Sequence, residues 1–443
     1  LRAGQCAENA ARRTPLVTMR RLDQKLLRDL WGMKGQAVAI ALVMASGVAT
    51  LVMMLSTVTS LRTAQENYYE RDRFAHVFTH LKRAPEALAP RLAALPGVAQ
   101  VQTRVVVDVT LDLPGLIVPA VGRLISLEAD PRAGLNRPHL RRGRMPEPGA
   151  RREALVSEAF AVAHRMVPGD AVRALINGRR QSLVIVGVAI SPEYIFQIRP
   201  GEFIPDDQRF GVFWLDRTEL ASAAGLTGAF NDVAILLTRG AVERDVREQL
   251  DALTARFGGQ GAYGRADQVS NRLVSDELAQ LRAMALIPPA IFLAVTAFLL
   301  NVVISRLVQT QREQIAVLKA FGYSTPQIGG HFLKLVCVIT VVGLVVGTAA
   351  GAWLGRDLAG LYGRYFRFPT LDFRLDPGVV AFACSISAAA AALGAMGAVR
   401  RAMKLPPAEG MRPEEPAHYR PLLMERLGLQ RFVGRIPRMI CVG

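Results

Sequence analysis

Four stretches of the chain carry no charged side chain: Gly35–Leu61, Ala283–Ser305, Leu335–Gly355 and Pro377–Val399. Each is long enough to cross a hydrocarbon core of roughly 30 Å as a helix. The first is too long for the core of a signal peptide and no small-residue cleavage site follows it, so it reads as a retained anchor. The spans fall in a 1 + 3 order, with a long insert after the first. The pattern predicts a polytopic α-helical membrane protein with four transmembrane helices and a large mixed α+β extracytoplasmic domain. Expected boundaries are a disordered or non-native leader 1–18, with Met19 as a sensible natural start, and an interfacial helix 19–34. Spans follow at 35–61, 283–305, 335–355 and 377–399. The insert with its stalk occupies 62–282, a cytosolic coupling segment 306–334, an outer loop 356–376 and a cytosolic tail 400–443.

Outside the spans the periodicity changes. Arg20–Lys34 sets Leu22, Leu26, Leu30 and Trp31 against Arg20, Arg21, Lys25 and Arg28, the pattern of a helix lying in the headgroup region. Within the insert, Pro85–Leu95 reads as a short helix closed by Pro96-Gly97. Val98–Leu113 is rich in β-branched residues, Ile117–Leu127 reads as a strand and Ala154–Met166 suits a helix. Val172–Ile176 and Ser182–Ile190 flank Asn177-Gly178, a strong hairpin signal. Asp232–Thr238 is strand-like and Val242–Phe257 amphipathic. Alternation of this kind argues for α+β layers, with a subdomain inserted around 112–230. Ala266–Leu281 has helical apolar spacing and leads into the second span as a stalk; Pro288-Pro289 permits a bend there.

Between the second and third spans, Gln311–Ser324 is charged yet carries Ile315, Leu318 and Phe321 at helical spacing, leaving Arg312, Glu313 and Lys319 for other faces. Gly322 suits a left-handed helix end. Ser324, Pro326 and Gln327 then have the spacing of an N-cap, a first-turn proline and a capping box. A short amphipathic helix so bounded suits docking of a cytosolic partner; the plainer reading is a solvated loop helix. In the third span Gly343, Gly347, Gly351 and Gly355 recur every four residues, a groove for close helix contact. Whether it packs within the chain or on a second subunit is open, and the fourth span, with Gly394 and Gly397, is its natural intramolecular partner.

Composition narrows the function. The 443 residues carry a net charge of +17, with eight Lys/Arg in residues 1–34 and nine in 400–443. Both groups lie beside apolar spans, so they read as topology and lipid-surface charge, not as a nucleic-acid footprint. Basic termini on the same side of an even number of spans are expected to be cytoplasmic. The outer loop 356–376 runs against that rule, with four Lys/Arg, as many as 306–334. No Walker A sequence occurs, and Gly259-Gln260-Gly261-Ala262-Tyr263-Gly264 follows a helix, so it reads as a loop. His76 and His80 have the spacing of a metal pair but lack a third ligand, so they read as solvated polar residues. The cysteines, Cys6, Cys337, Cys384 and Cys441, are too scattered for a disulfide framework. The spans hold no charged residue, which argues against an ion-coupled carrier. No catalytic, metal or cofactor site is expected, and the chain does not read as an enzyme.

Glu313–Gly322 resembles the signature between the second and third spans of FtsX/MacB-type ABC transporter permeases, with Gln314 where Glu is usual. Pro407-Ala408-Glu409-Gly410-Met411-Arg412 resembles the segment after that family's last span, with Gly410 for Ala. Ser157-Glu158-Ala159-Phe160-Ala161 and Pro168-Gly169-Asp170 resemble its extracytoplasmic domain. The resemblance implies a permease subunit of the bacterial inner membrane that couples hydrolysis by a separate ABC ATPase to movement of the outer domain. Arg312, Glu313, Ile315, Leu318, Lys319, Phe321 and Gly322 would form the ATPase-docking coupling helix. Implied partners are a second permease half or homodimer, a periplasmic adaptor and membrane lipids. The implied task is efflux or export of lipid, lipoprotein or peptide; the alternative is a non-transporting regulator, for example of a cell-wall hydrolase.

Overall fold

The computed structural model describes residues 21–113, 118–128, 130, 133–199, 201–202 and 204–404. The leader with Met19 and Arg20, the Pro407–Arg412 segment, Cys6 and Cys441 lie outside them. The chain opens with helices α1 (Arg21–Gly32) and α2 (Lys34–Arg71). The insert follows as β1 (Val77–Pro85), α3 (Ala89–Ala93), β2 (Val98–Arg104), β3 (Val106–Asp112), β4 (Ala120–Leu127) and β5 (His139–Gly143). It continues with β6 (Glu153–Ser157), α4 (Glu158–Ala163), β7 (Ala171–Ile176), β8 (Arg179–Ile190) and β9 (Phe210–Asp216). Its last elements are α5 (Arg217–Ala223), β10 (Ala229–Leu237), α6 (Glu243–Thr254) and β11 (Tyr263–Gly264). Helices α7 (Val269–Thr310), α8 (Arg312–Ala320), α9 (Thr325–Tyr365) and α10 (Pro377–Lys404) complete the described chain.

Four of these helices, α2, α7, α9 and α10, are long and apolar enough to cross a membrane. Helix α2 continues past Leu61 to Arg71, and α7 begins at Val269, well before its charge-free run. It passes through Pro288 and Pro289 without a break. By internal contacts the described residues form two compact units. One is drawn from within Leu1–Gln36, Ala297–Val338 and Ala392–Gly443, the other from Ala37–Thr296 and Ile339–Ala391.

In the second unit the insert holds two sheets. The smaller is antiparallel, in the order β11-β1-β10-β2, and packs Leu81, Phe230, Val233 and Ile235 with Leu88, Leu92 and Leu250. The larger runs β5-β8-β6-β9-β4-β3-β7, and β7 pairs with β8 as well, so the sheet turns back on itself. All its strands lie between β2 and β10. The β-branched run expected over Val98–Leu113 is therefore two strands in different sheets, divided at Val105. The hairpin β7–β8 turns on Asn177 at φ 46° and Gly178 at φ 74°, the left-handed pair of a type I′ turn. Ala154–Met166, expected as one helix, begins instead with β6, which lies between β8 and β9; Ala154, Leu155 and Val156 are fully buried there. Burial on both faces of a central strand outweighs the helix propensity of Ala and Leu. The apolar run that forms β9 is buried along its whole length.

The roots of α2, α7 and the outer loop share an aromatic core of Tyr68, Tyr69, Phe74, Phe78, Phe366 and Phe368. Several of the polar groups around it are satisfied locally. Asn271 of α7 accepts from Tyr69 Oη at 2.8 Å and from Gln65 Nε2 at 3.2 Å, and Tyr362 Oη donates to Glu277 at 2.6 Å. Arg141 of β5 donates to the carbonyls of Phe368 and Pro369. The two stalk helices are thus fastened to each other and to the insert.

Candidate functional site

The helix between the second and third spans is closed by its own sequence. The N–H of Gly322, at φ 90°, donates to Lys319 O, and that of Tyr323 donates to Leu318 O, the paired bonds of a Schellman end. The Ser324 N–H then donates to Gln327 Oε1 at 2.9 Å, the capping-box contact that opens α9. Ile315 and Ala316 are buried within the chain, and Lys319 Nζ donates to Met403 O at 2.9 Å. Leu318 is half-buried, while Val317 and Phe321 are 42% and 80% exposed. Ile315, Leu318 and Phe321 therefore do not share one face. The Phe321 N–H still makes the helical bond to Val317 O, and six residues on from Ile315 the side chain stands about a third of a turn away from the buried stripe. Glu313, Val317 and Phe321 are on the open side, and Arg312 is half-buried.

The other end of this helix is held by α1. Gln311 provides no side-chain cap, because its amide is engaged elsewhere: it accepts from Lys25 Nζ at 2.7 Å and donates to Asp29 Oδ1 at 2.9 Å. Asp29 also takes Lys25 at 2.7 Å and His331 Nε2 of α9 at 3.0 Å, and Lys334 reaches Asp23 at 2.8 Å. Burial would raise the Asp29 pKa, but the bonds from His331 and Lys25 outweigh it and hold the carboxyl below its ordinary value. Of the expected interfacial apolar residues, Leu26 is buried and Trp31 is 74% exposed.

The glycine stripe of α9 abuts the first span, not the fourth. A Cβ on Gly347 would lie 2.7 Å from Val48 Cβ and 2.8 Å from Ala45 O; one on Gly351 would lie 2.8 Å from Ala49 O. Gly343 faces Met44 and Ala41, and Gly355 faces Phe373. The reason is complementary spacing: Ala41, Ala45 and Ala49 recur every four residues on α2, so small residues oppose small ones. The fourth span instead meets the second, where Gly394 backs directly on Ala297.

A buried ionic cluster joins the two sheets of the insert. Arg104, at the end of β2, donates Nε to Asp232 Oδ1 at 2.6 Å and both terminal nitrogens to Glu193, at 2.6 and 2.9 Å. Glu193 follows β8 and belongs to the larger subdomain; Asp232 is on β10 of the smaller. His80 Nδ1 closes on the second Asp232 oxygen at 2.6 Å, and Tyr263 Oη lies 3.2 Å from His80 Nε2. Gln268, at the threshold of α7, donates to Glu193 O at 2.8 Å. His80 is therefore ion-paired, not a freely solvated residue. In an extended strand, residues four apart are roughly 13 Å apart, too far for His76 and His80 to share a metal. The His76 Nδ1 accepts the Leu237 N–H instead.

Burial would lower the pKa of His80, but the bond to Asp232 and its charge outweigh that and raise it. Arg104 and Arg123 oppose the rise; neither cancels it. The stability that His80 contributes is full below its unfolded pKa of about 6.5 and fades as pH rises through the higher folded value. The unfolding midpoint of the protein should decline as pH rises above about 6.5, and His80→Gln should flatten that slope. Parallel slopes for the two proteins in a thermal scan would exclude His80 as the cause.

Two family models match this chain. The FtsX-like permease C-terminal model matches residues 287–407, and the MacB-like periplasmic core domain model matches residues 37–253. The chain belongs to the FtsX/MacB-like family of ABC transporter permeases. Among solved structures, the extracellular domain of the noncanonic ABC-type transporter YknZ from Gram-positive bacteria aligns at 14% identity and TM-score 0.29, covering 43% of this permease and 98% of that chain. The periplasmic region of MacB from Actinobacillus actinomycetemcomitans aligns at 10% identity and TM-score 0.29, covering 48% and 98%. A domain of a putative permease protein from Porphyromonas gingivalis aligns at 17% and 0.27, covering 44% and 90%. No curated protein sequence matches the permease.

Two groups of residues in this permease leave no trace in its sequence pattern. Asp29 sits four residues after Lys25, a visible pairing distance, but nothing in the sequence points from it to Gln311 or His331. The Arg104 cluster draws on β1, β2, β10 and the segment after β8, and no local pattern unites them.

Proposed function

We propose that this permease works as a lever for an ATPase carried on a separate chain. The observation that carries the reading is Phe321. A large aromatic side chain, 80% exposed, stands at the end of a helix closed by a Schellman turn, with a capping box opening the next helix directly after it. The ATPase grips the face of Glu313, Val317 and Phe321, while Ile315, Leu318 and Lys319 seat the helix against its own chain. Asp29 and Gln311 tie α8 to α1 and α9, so a push on the helix is passed on to its neighbours. The termini and the segment 306–334 face the cytoplasm, and residues 62–282 face outward across the bacterial inner membrane. A second permease half or a second copy completes the pair, and a periplasmic adaptor takes up the movement of the insert. The output is efflux or export of a lipid, lipoprotein or peptide.

Loss of an aromatic anchor at an interface costs about 2 kcal/mol or more, roughly a 30-fold loss of affinity. Coexpressed with its cognate ATPase, the full chain should copurify as a complex. Phe321→Asp should lose the ATPase while keeping the same elution volume and melting behaviour, because the side chain packs little against the rest of the chain. Undiminished assembly of Phe321→Asp would remove the docking role.

A further inference from the structure

Beside the stalk, at the level where the first span ends and the fourth begins, lies a cleft of about 330 Å³. Its wall on α2 is a stripe of Thr59, Thr63 and Asn67, spaced four residues apart, and its other wall is the chain from Thr370 to Pro377. The opposite face of α2, with Val58, Leu61 and Tyr68, is buried in the aromatic core. The cleft is held open by a short clasp: the Arg374 N–H donates to Ser60 Oγ at 3.0 Å. Asp376 is committed to the helix end, accepting the Gly378 N–H at 2.7 Å. The side chains of Asp372 and Arg374 are exposed, and neither has an ion-pair partner among the described residues. The cleft therefore offers an unpaired guanidinium and an unpaired carboxylate on one wall and a row of hydroxyl and amide groups on the other.

We propose that this cleft binds the phosphoethanolamine headgroup of a bilayer lipid. Arg374 takes the phosphodiester, because a guanidinium matches paired phosphate oxygens. Asp372 takes the primary ammonium, which can donate hydrogen bonds to a carboxylate; a quaternary ammonium cannot. The location selects the source. Leu61 closes one charge-free run and Pro377 opens another, so the cleft sits where hydrocarbon gives way to headgroups, and a lipid can enter it without leaving the bilayer. The assignment rests on the membrane spans and not on the docking of an ATPase.

The test uses the full chain in nanodiscs containing equal phosphatidylethanolamine and phosphatidylglycerol, with retained lipid read by native mass spectrometry. The parent should retain phosphatidylethanolamine over phosphatidylglycerol by about tenfold. Arg374→Gln should lower retention of both lipids about tenfold, and Asp372→Asn should lower phosphatidylethanolamine alone, to the phosphatidylglycerol level. Thr63→Leu, which fills the cleft without touching a charge, should mimic Arg374→Gln. Equal retention by parent and Arg374→Gln overturns the proposal. Binding of free glycerophosphoethanolamine as tight as that of the lipid would make the ligand a soluble phosphodiester and overturn the lipid assignment.

Discussion

Arg104→Met should lower the stability of the insert by about 3–5 kcal/mol, the range for removing one member of a buried ionic group. Arg104 is 4% exposed, and its partners Asp232 and Glu193 are 0% and 6% exposed. With the guanidinium gone, two buried carboxylates lose their shared partner, and His80 remains on Asp232 alone. For a domain of this size each kcal/mol moves the unfolding midpoint by roughly 2–4 °C, so a drop of about 10 °C is expected in a thermal scan of the full chain. Adding Asp232→Asn to Arg104→Met should recover part of the loss, since it removes one of the stranded charges. Strict additivity of the two changes would show that the groups do not act as a cluster.

Gly394→Leu should prevent the membrane helices from assembling. A Cβ there would lie 2.6 Å from Ala297 Cα and closer still to its carbonyl oxygen. The obstacle is backbone, which no rotamer change relieves, so the cost exceeds the 1–3 kcal/mol typical of overpacking. Gly347→Leu meets Val48 and Ala45 in the same way. At Gly397 nothing lies within 4 Å of the added atom, and Gly397→Ala should be neutral. Recovery of monodisperse protein by fluorescence-detected size exclusion separates these cases. Equal recovery of Gly394→Leu and Gly397→Ala would dismiss the contact.

The spans were legible because a water-soluble fold rarely tolerates so long a run of residues without a single charge. The limits of α8 and the Asn177-Gly178 hairpin were legible because positive-φ turns and capping boxes are local devices written in adjacent residues. What was hidden is non-local. Glu153–Ser157 spells a helix in isolation and becomes a strand only because β8 and β9 flank it. The glycine stripe of α9 declared that it needed a close partner but could not say which, since small residues occur on both α2 and α10. The exposure of Phe321 follows from its spacing, since six residues after Ile315 a helical position has drifted about a third of a turn from the buried stripe.

Arg104 pairs in register with Asp232 across neighbouring strands, so the chain leaves the smaller sheet and returns to it side by side. Asn231 stitches the seam, accepting the Val106 N–H at 2.8 Å and donating to Val106 O at 2.7 Å. Everything from residue 105 to residue 228 is thus a cassette whose entrance and exit adjoin. Such a module can be lengthened, shortened or grafted between chains without re-registering the host, provided that Arg104, Asp232 and a matching acid travel with the seam. Selection can then remodel the cassette while leaving the rest of the insert untouched.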